Sequence, residues 1–356
     1  MKEDLINLGF TDRVLQEASL YPDLYLGRVI AQSKDVYTVA TKKTKLLSEI
    51  AGKLRHSITD VSGYPSVGDF VMLDREEDGS GHAIIHNVLT RKSVFMRRAA
   101  GTGHDVQVVA ANIDYVFICM SLNNDFNLRR LERYLSIAWD SGATPVIVLT
   151  KSDLCNDLPR KLSEMRSVST GVDLIVTSSL VEGGYSTIKT FISPGKTVAF
   201  VGSSGVGKST LINRLLGEEV LPTKELRKDD KGKHTTTRRE LIILPGGGAV
   251  IDTPGMRELG VESVNLDKTF TDIDELAQQC RFKNCQHENE PDCAVREAIE
   301  QGLLSQERLN NYKKIKHETN YEGLNSRQIE KQKNEKMFAD FGGIKNARNY
   351  IKGKNR

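Results

Sequence analysis

The stretch Gly202-Ser203-Ser204-Gly205-Val206-Gly207-Lys208-Ser209-Thr210 constrains the fold more than any other part of the chain. It fits G-x-x-x-x-G-K-[ST], follows the apolar run TVAFV and opens the helical pattern TLINRLLG, the strand–loop–helix context that the motif needs. Its glycines let backbone N–H groups converge on phosphate oxygens, and the helix N-terminus adds a favourable dipole. In that role Lys208 reaches the β- and γ-phosphates and the Ser209 hydroxyl ligates Mg²⁺. A Gly-rich turn with no ligand is the competing reading, and the strand before and helix after it speak against that.

By itself this loop says only nucleoside triphosphate. Asp252-Thr253-Pro254-Gly255 follows the apolar AVI, 43 residues after Ser209. There a P-loop protein places the carboxylate that holds Mg²⁺ through water, and the Gly255 N–H can meet the γ-phosphate. Between the two lies Gly232-Lys233-His234-Thr235-Thr236-Thr237. Such a loop supplies a threonine to Mg²⁺, taken here as Thr236, only while the γ-phosphate is present, as switch segments do.

Thr150-Lys151-Ser152-Asp153 ends another apolar run, PVIVLT. A carboxylate at this place accepts two hydrogen bonds from guanine's N1–H and N2–H₂ edge, a pair that adenine cannot offer. The wrong base leaves it unpaired, so such a site discriminates strongly. Asp153 takes that role while the stem of Lys151 covers the base. Thr150 replaces the more usual Asn but keeps a hydroxyl for bridging to the phosphate loop, which predicts weaker bracing rather than lost specificity. Ser178-Ser179, after DLIVT, completes the base pocket with backbone N–H groups; Ser-Ser after a strand is also an ordinary turn.

In an ordinary small G protein the phosphate loop precedes the base-reading tetrapeptide. Here the tetrapeptide comes first, by about fifty residues. In an open parallel sheet the ligand lies at the C-terminal ends of the strands, whatever order the chain visits them. All five loops follow apolar strands, so the order base–base–phosphate–switch–switch is the usual one rotated, a circular permutation. The domain then starts near Ile113 and ends soon after Gly255, and its second switch leads almost directly into a Cys/His cluster.

The rest of the 356 residues fits around this domain. From Leu24 to Leu89, short apolar segments broken by turns (LYLGRVIAQ, DVYTVAT, YPSVGDFVML, HAIIHNVL) predict a five-stranded OB-type barrel, preceded by a weak helical pattern over residues 1–20. Residues 91–108 read as a connector with a basic surface, carrying Arg91, Lys92, Arg97 and Arg98. Alternating strands and helices follow, the pattern of a parallel sheet covered on both faces. The fold class is thus multidomain: an N-terminal OB-type β-barrel (1–92), a central α/β circularly permuted P-loop GTPase domain (93–268) and a C-terminal helical zinc-binding module (269–356). With 38% hydrophobic and 27% charged residues, and no apolar run near membrane-span length, a soluble chain is expected. The start MKEDLINLGF lacks a basic segment and apolar core, so no secretory signal is expected. Residues 301–356 hold 13 Lys+Arg against 6 Asp+Glu, a basic tail that is either a solvated helical face or a nucleic-acid contact. Residues 320–342 are nearly devoid of aliphatic residues and read as partly ordered.

Cys280, Cys285 and Cys293 lie within fourteen residues and share them with His287. Three thiolates and an imidazole complete a closed tetrahedral Zn²⁺ site, hence a structural one, which would staple a module lacking a core of its own. Three buried thiols beside a surface histidine are the alternative. Cys119 and Cys155 read as unpaired thiols.

The barrel, the connector ending QVVAANID, GKHTTTRRE, DTPGMREL and CRFKNCQHENEPDCAV together resemble the RsgA (YjeQ-type) family of circularly permuted GTPases, over nearly the whole chain. The resemblance supports the Cys280–Cys285–His287–Cys293 quartet. It implies late assembly or checking of the small ribosomal subunit, with hydrolysis stimulated by that subunit. Contact with rRNA is the expected use of the barrel face, the Arg97/Arg98 connector and the basic tail, and a cytoplasmic monomer with no membrane contact is expected. Met256 stands where Ras-like enzymes carry a water-orienting Gln, so slow intrinsic hydrolysis is expected. His234 is the candidate catalytic group, with an RNA or phosphate contact as its alternative. Two other functions compete: a zinc-containing RNA-binding adaptor using GTP as a conformational ligand, and a small-molecule kinase, for which no acceptor pocket is recognisable.

Overall fold

A computed structural model describes residues 6–77, 79–98, 106–123, 125–179, 181, 183–221, 239–252 and 266–319. A short helix, α1 (Asp12–Ala18), leads into strands β1 (Tyr25–Ser33), β2 (Val36–Thr41) and β3 (Lys45–Ile50), helix α2 (Gly52–Ser57), and strands β4 (Phe70–Leu73) and β5 (Ala83–Val88). The strands pair in the order β1–β2–β3–β5–β4, and β4 returns to β1, so the five close into a barrel. Val29, Val39, Leu46, Val71, Leu73 and Ile85 fill it. The third strand, KLLSEI, alternates strictly between exposed and buried positions, the period-2 pattern of a half-buried strand. Lys45 at its start and the Lys42-Lys43 pair before it hid the strand among polar turn residues in the sequence.

The connector is more ordered than its composition predicts. Strands β6 (Val94–Arg98) and β7 (Val106–Ala111) pair antiparallel as a separate ribbon. The Gly-rich segment between them masks the alternation on either side. Ser93 anchors the ribbon to the next domain: its hydroxyl donates to Ile113 O at 2.7 Å.

The central domain runs β8 (Tyr115–Ser121), α3 (Leu128–Asp140), β9 (Thr144–Thr150), α4 (Leu158–Arg166), β10 (Asp173–Val176), α5 (Ser186–Lys189), β11 (Thr197–Val201), α6 (Lys208–Leu216), β12 (Arg239–Ile243) and β13 (Ala249–Asp252). Its strand order is β10–β9–β8–β11–β13–β12, parallel except for the β12–β13 pair. In β8 and β9 every residue after the first is buried, as expected for strands covered on both faces. One face packs into a core shared with the outside of the barrel, from Phe70 and Met72 through Val116 and Ile118 to Leu135. The other carries Phe117, Val148, Phe200, Ile212 and Val250. Strand β1 also pairs with β12, Ala31 opposite Glu240 and Gln32 opposite Arg239, so barrel and central sheet are one hydrogen-bonded surface.

Helices α7 (Leu266–Thr269), α8 (Thr271–Ala277), α9 (Ala294–Glu300) and α10 (Gln306–Thr319) form the C-terminal module. The expectation that it lacks its own core is corrected: Phe270, Ile273, Val295, Ala298, Leu304, Leu309 and Ile315 bury one another. These apolar residues are spread one or two to a helix over α8, α9 and α10 and over the links that hold Phe270 and Leu304, so no one helix shows a strong stripe. Residues 320–356, including the basic tail expected to be partly ordered, lie outside the described residues.

Candidate nucleotide site and metal cluster

The phosphate loop leaves the C-terminal end of β11, whose five residues are all buried between β8 and β13. Gly202 has φ 141°, and a Cβ there would stand 2.3 Å from Cys119 O on the neighbouring strand, so only glycine fits. Gly207, with φ 104°, caps α6. Ser204 and Gly205 are exposed, Val206 is buried, and Ser209 and Thr210 are half-buried in the first turn of α6. The ammonium of Lys208 donates to Gly202 O at 2.6 Å and Ser203 O at 2.7 Å. It lies across the mouth of its own loop, where phosphate oxygens would compete for it.

The base-side loops meet this one directly. Thr150, the last residue of β9, donates through Oγ1 to Val206 O at 2.6 Å. Lys151 has the left-handed φ of 56° and donates from Nζ to Gly205 O at 2.8 Å. Its left-handed turn starts a single helical turn, Ser152–Leu154, which carries the Asp153 carboxylate. Ser152 N–H donates to Thr177 O at 3.2 Å, joining the two base loops. Ser178 donates its hydroxyl to Asp153 Oδ1 at 2.5 Å, while its amide goes to Gly184 O at 3.3 Å. Ser179 is half-buried beside it. Thr150–Asp153, Ser178–Ser179 and Gly202–Thr210 thus occupy one end of the parallel sheet.

Asp252 ends β13, which pairs with β11 at Ala199↔Ile251, so its backbone stands beside the strand end from which the phosphate loop departs. His234, Thr235, Thr236, Thr237, Gly255 and Met256 lie outside the described residues.

The second cluster follows α8. One ligand atom each of Cys280, Cys285, His287 and Cys293 lies within 4.8 Å of all the others. Cys280 Sγ stands 3.9 Å from Cys293 Sγ, and His287 Nδ1 is 3.4 Å from Cys293 Sγ and 3.7 Å from Cys280 Sγ. Tetrahedral Zn²⁺ with bonds of about 2.3 Å to sulfur and about 2.0 Å to nitrogen requires S···S near 3.8 Å and N···S near 3.5 Å. The donor set fits that ion, and the sulfurs are far too distant for a disulfide. Burial, with Lys313 and Lys316 nearby, lowers the His287 pKa and favours the neutral ring, the form that ligates. Cys119 and Cys155 are free thiols, as expected.

Three features escape a motif-based reading. Glu290 accepts backbone N–H bonds from Gln286 (2.7 Å), Glu288 (2.8 Å) and Asn289 (3.1 Å), which hold its carboxyl at about 2 and tie the Cys/His loop. Glu132, wholly buried on α3, takes Arg129 at 2.8 Å, Arg308 at 2.6 Å and Asn311 at 2.5 Å, fastening α10 to the central domain. Arg130, in the first turn of α3, reaches the Ser203 hydroxyl. The available signal was the arginine pair in LRRLER, at the start of the helix that follows β8.

Similar proteins give this arrangement a context. The family model for the RsgA GTPase matches residues 88–262, and one for the Dynamin family matches residues 198–337, which include the phosphate loop. The Small ribosomal subunit biogenesis GTPase RsgA 2 of Lactiplantibacillus plantarum is 49% identical over 97% of each chain. The Small ribosomal subunit biogenesis GTPase RsgA of Methanosarcina acetivorans is 42% identical, over 94% of this chain and 91% of that one. Among solved structures, YjeQ from Thermotoga maritima superposes with TM-score 0.60 at 28% identity, covering 83% of this chain and 98% of that one. YloQ, a circularly permuted GTPase, matches with TM-score 0.59 at 24% identity over 83% and 95%, a likeness of fold. Identity approaching one half across almost the full length of both chains is decisive: this chain belongs to the RsgA GTPase family.

Proposed function

We propose that this chain hydrolyses GTP to GDP and phosphate on the small ribosomal subunit, acts late in that subunit's assembly and leaves it on hydrolysis. The observation that carries the reading is the convergence of the Asp153 carboxylate, the Thr150 and Lys151 bridges and the phosphate loop at one sheet edge, in a chain of this family. Relatives whose names place them in small-subunit biogenesis supply the partner.

In this reading Asp153 accepts from the guanine edge while the Lys151 stem covers the base and Thr150, Ser152, Ser178 and Ser179 brace the pocket. The amides of Gly202–Thr210 bind the phosphates, and Lys208 exchanges its loop carbonyls for the β- and γ-oxygens. Ser209, Thr236 and Asp252 would hold Mg²⁺, which neutralises charge on those oxygens. Gly255 meets the γ-phosphate, and His234 orients water or is ordered by the subunit. Cys280, Cys285, His287 and Cys293 hold one structural Zn²⁺. The three units 1–92, 93–268 and 269–356 act as a cytoplasmic monomer, with barrel, connector and tail contacting rRNA through its phosphates.

Turnover of GTP titrated with isolated small subunits tests the reading. Stimulation that saturates with subunit supports it. Tight GTP binding without stimulated turnover would instead identify an adaptor that uses GTP as a conformational ligand. Full subunit-stimulated turnover in His234→Ala would remove His234 from the mechanism.

A further inference from the structure

The side chain of Arg130 points from α3 to the second residue of the phosphate loop. Asn127 Oδ1 caps the helix by accepting the Arg130 amide at 3.0 Å, which fixes where the side chain starts. Asp125 then aims it: Nη1 donates to Asp125 Oδ1 at 2.8 Å and Nη2 to Asp125 O at 3.4 Å. The same Nη1 donates to Ser203 Oγ. Ser203 is therefore gripped twice, by Arg130 on its hydroxyl and by Lys208 on its carbonyl.

The two grips differ in kind. Lys208 is a point charge on a flexible stem, and binding a triphosphate draws its ammonium toward phosphate oxygens. Arg130 carries a planar fork that stays charged at any pH the protein meets, and Asp125 holds that fork in place. When Lys208 turns to the nucleotide, the Arg130 bond is the one that keeps Ser203 where the loop needs it. The helix behind it is firmly seated, because Glu132, two residues on, is locked to Arg308 and Asn311 of the C-terminal module.

We propose that Arg130 is a positioning residue of the nucleotide site, holding the phosphate loop through Ser203 in the shape that accepts a triphosphate. The inference rests on the nucleotide-binding reading above and deepens it. Its removal should act on nucleotide affinity, for GTP and GDP alike, and leave the chemical step nearly untouched.

The test is a double-mutant cycle on the full chain with Arg130→Ala, Ser203→Ala and the pair, reading GTP and GDP affinity, kcat, KM and melting temperature. Each single variant is expected to weaken both nucleotides by about tenfold, the scale of one hydrogen bond to a charged group, and Arg130→Ala should keep kcat within about twofold. The double variant should lose no more than either single one, and Arg130→Lys should recover part of the loss. Independent, multiplying losses would overturn the proposal, since Arg130 would then not act through Ser203. So would a fall in kcat at unchanged affinity, or a lower melting temperature with both affinities intact. Wild-type binding of guanine over adenine nucleotides, measured alongside, checks the reading beneath; the comparison among variants checks the inference.

Discussion

Asp153 is exposed, yet its orientation is fixed, because Ser178 donates to one oxygen and the turn that carries it is tied to Thr177. A carboxylate held this way can discriminate bases, since hydrogen bonds to a charged acceptor contribute about 1.5–3 kcal/mol each and guanine supplies two. Asp153→Asn should therefore lose roughly 10²-fold or more in GTP affinity, and competition with ATP should no longer favour GTP. Equal GTP selectivity in the variant would remove Asp153 from the base pocket. Thr150 makes a smaller claim. It spends its hydroxyl on Val206 O, a neutral bond of about 1 kcal/mol, so Thr150→Ala should weaken GDP by about fivefold and leave the guanine preference intact. Titration calorimetry with GDP and ADP separates the two effects. At this scale the sequence was readable wherever a residue type is required by chemistry. Lys208, Asp153 and the Cys/His quartet stand in motifs, whereas Arg130 and Glu290 act through partners that only folding brings near.

The elements that hold the site show a different limit. The strands of the central sheet were legible because burial on both faces writes near-continuous apolar runs, while KLLSEI and the β6–β7 ribbon were obscured by lysines and glycines at their ends. Helix α3 reads as amphipathic with Glu132 three and four residues from Leu135 and Leu128, a carboxylate on the apolar side with no partner in its own helix besides Arg129; the C-terminal module covers that face and supplies Arg308 and Asn311. Nothing local in LRRLERYL encodes a partner on α10. Removing one member of a buried, hydrogen-bonded ion network costs about 3–5 kcal/mol, because the other charge stays buried. Arg308→Ala should lower stability by that amount in chemical denaturation, and a loss below about 1 kcal/mol would mean that α10 is not seated on Glu132. The Cys/His loop has its own support. Glu290→Gln keeps the size but weakens three N–H bonds, and support of this kind around metal ligands changes affinity by about 10–100-fold. Zinc transfer from the variant to a competing chelator should be faster than from wild type, while a rate equal to wild type would show that the ligands hold the loop unaided.

Across the whole molecule, the permuted order of the loops was legible because each loop is labelled by its own residues, and the sheet edge that gathers them follows from parallel topology. The joining of barrel to central domain was not, since it depends on a shared apolar core, one buried arginine and one short strand pair. Arg28, on β1, is 1% exposed and donates in three directions: to Leu8 O at 2.8 Å, to Gly68 O at 3.3 Å and to Thr197 Oγ1 at 2.8 Å. Thr197 opens β11, the strand that delivers the phosphate loop. Its guanidinium lies 4.8 Å from the centre of the Phe70 ring. Burial draws its pKa down to about 10 while Asp114 and Asp69 oppose the fall, so the group stays charged at neutral pH. Together with the Ala31↔Glu240 and Gln32↔Arg239 pairs, this makes the barrel an extension of the sheet rather than a bead on a linker. Arg28→Ala would strand two buried acceptors, Leu8 O and Thr197 Oγ1, while Gly68 O keeps its bond from Asn112 Nδ2 at 3.2 Å; at roughly 1–3 kcal/mol each before relaxation, a loss near 3 kcal/mol is expected. Hydrogen exchange reads where that loss falls. In wild type the strands β1 and β11 should open together, with equal protection at the global limit. In Arg28→Ala, residues 25–33 should exchange about a hundredfold faster than residues 197–201, the factor to which about 3 kcal/mol corresponds. Equal acceleration of both strands would mean that the seam does not separate the two units, and unchanged exchange would mean that Arg28 contributes nothing to it.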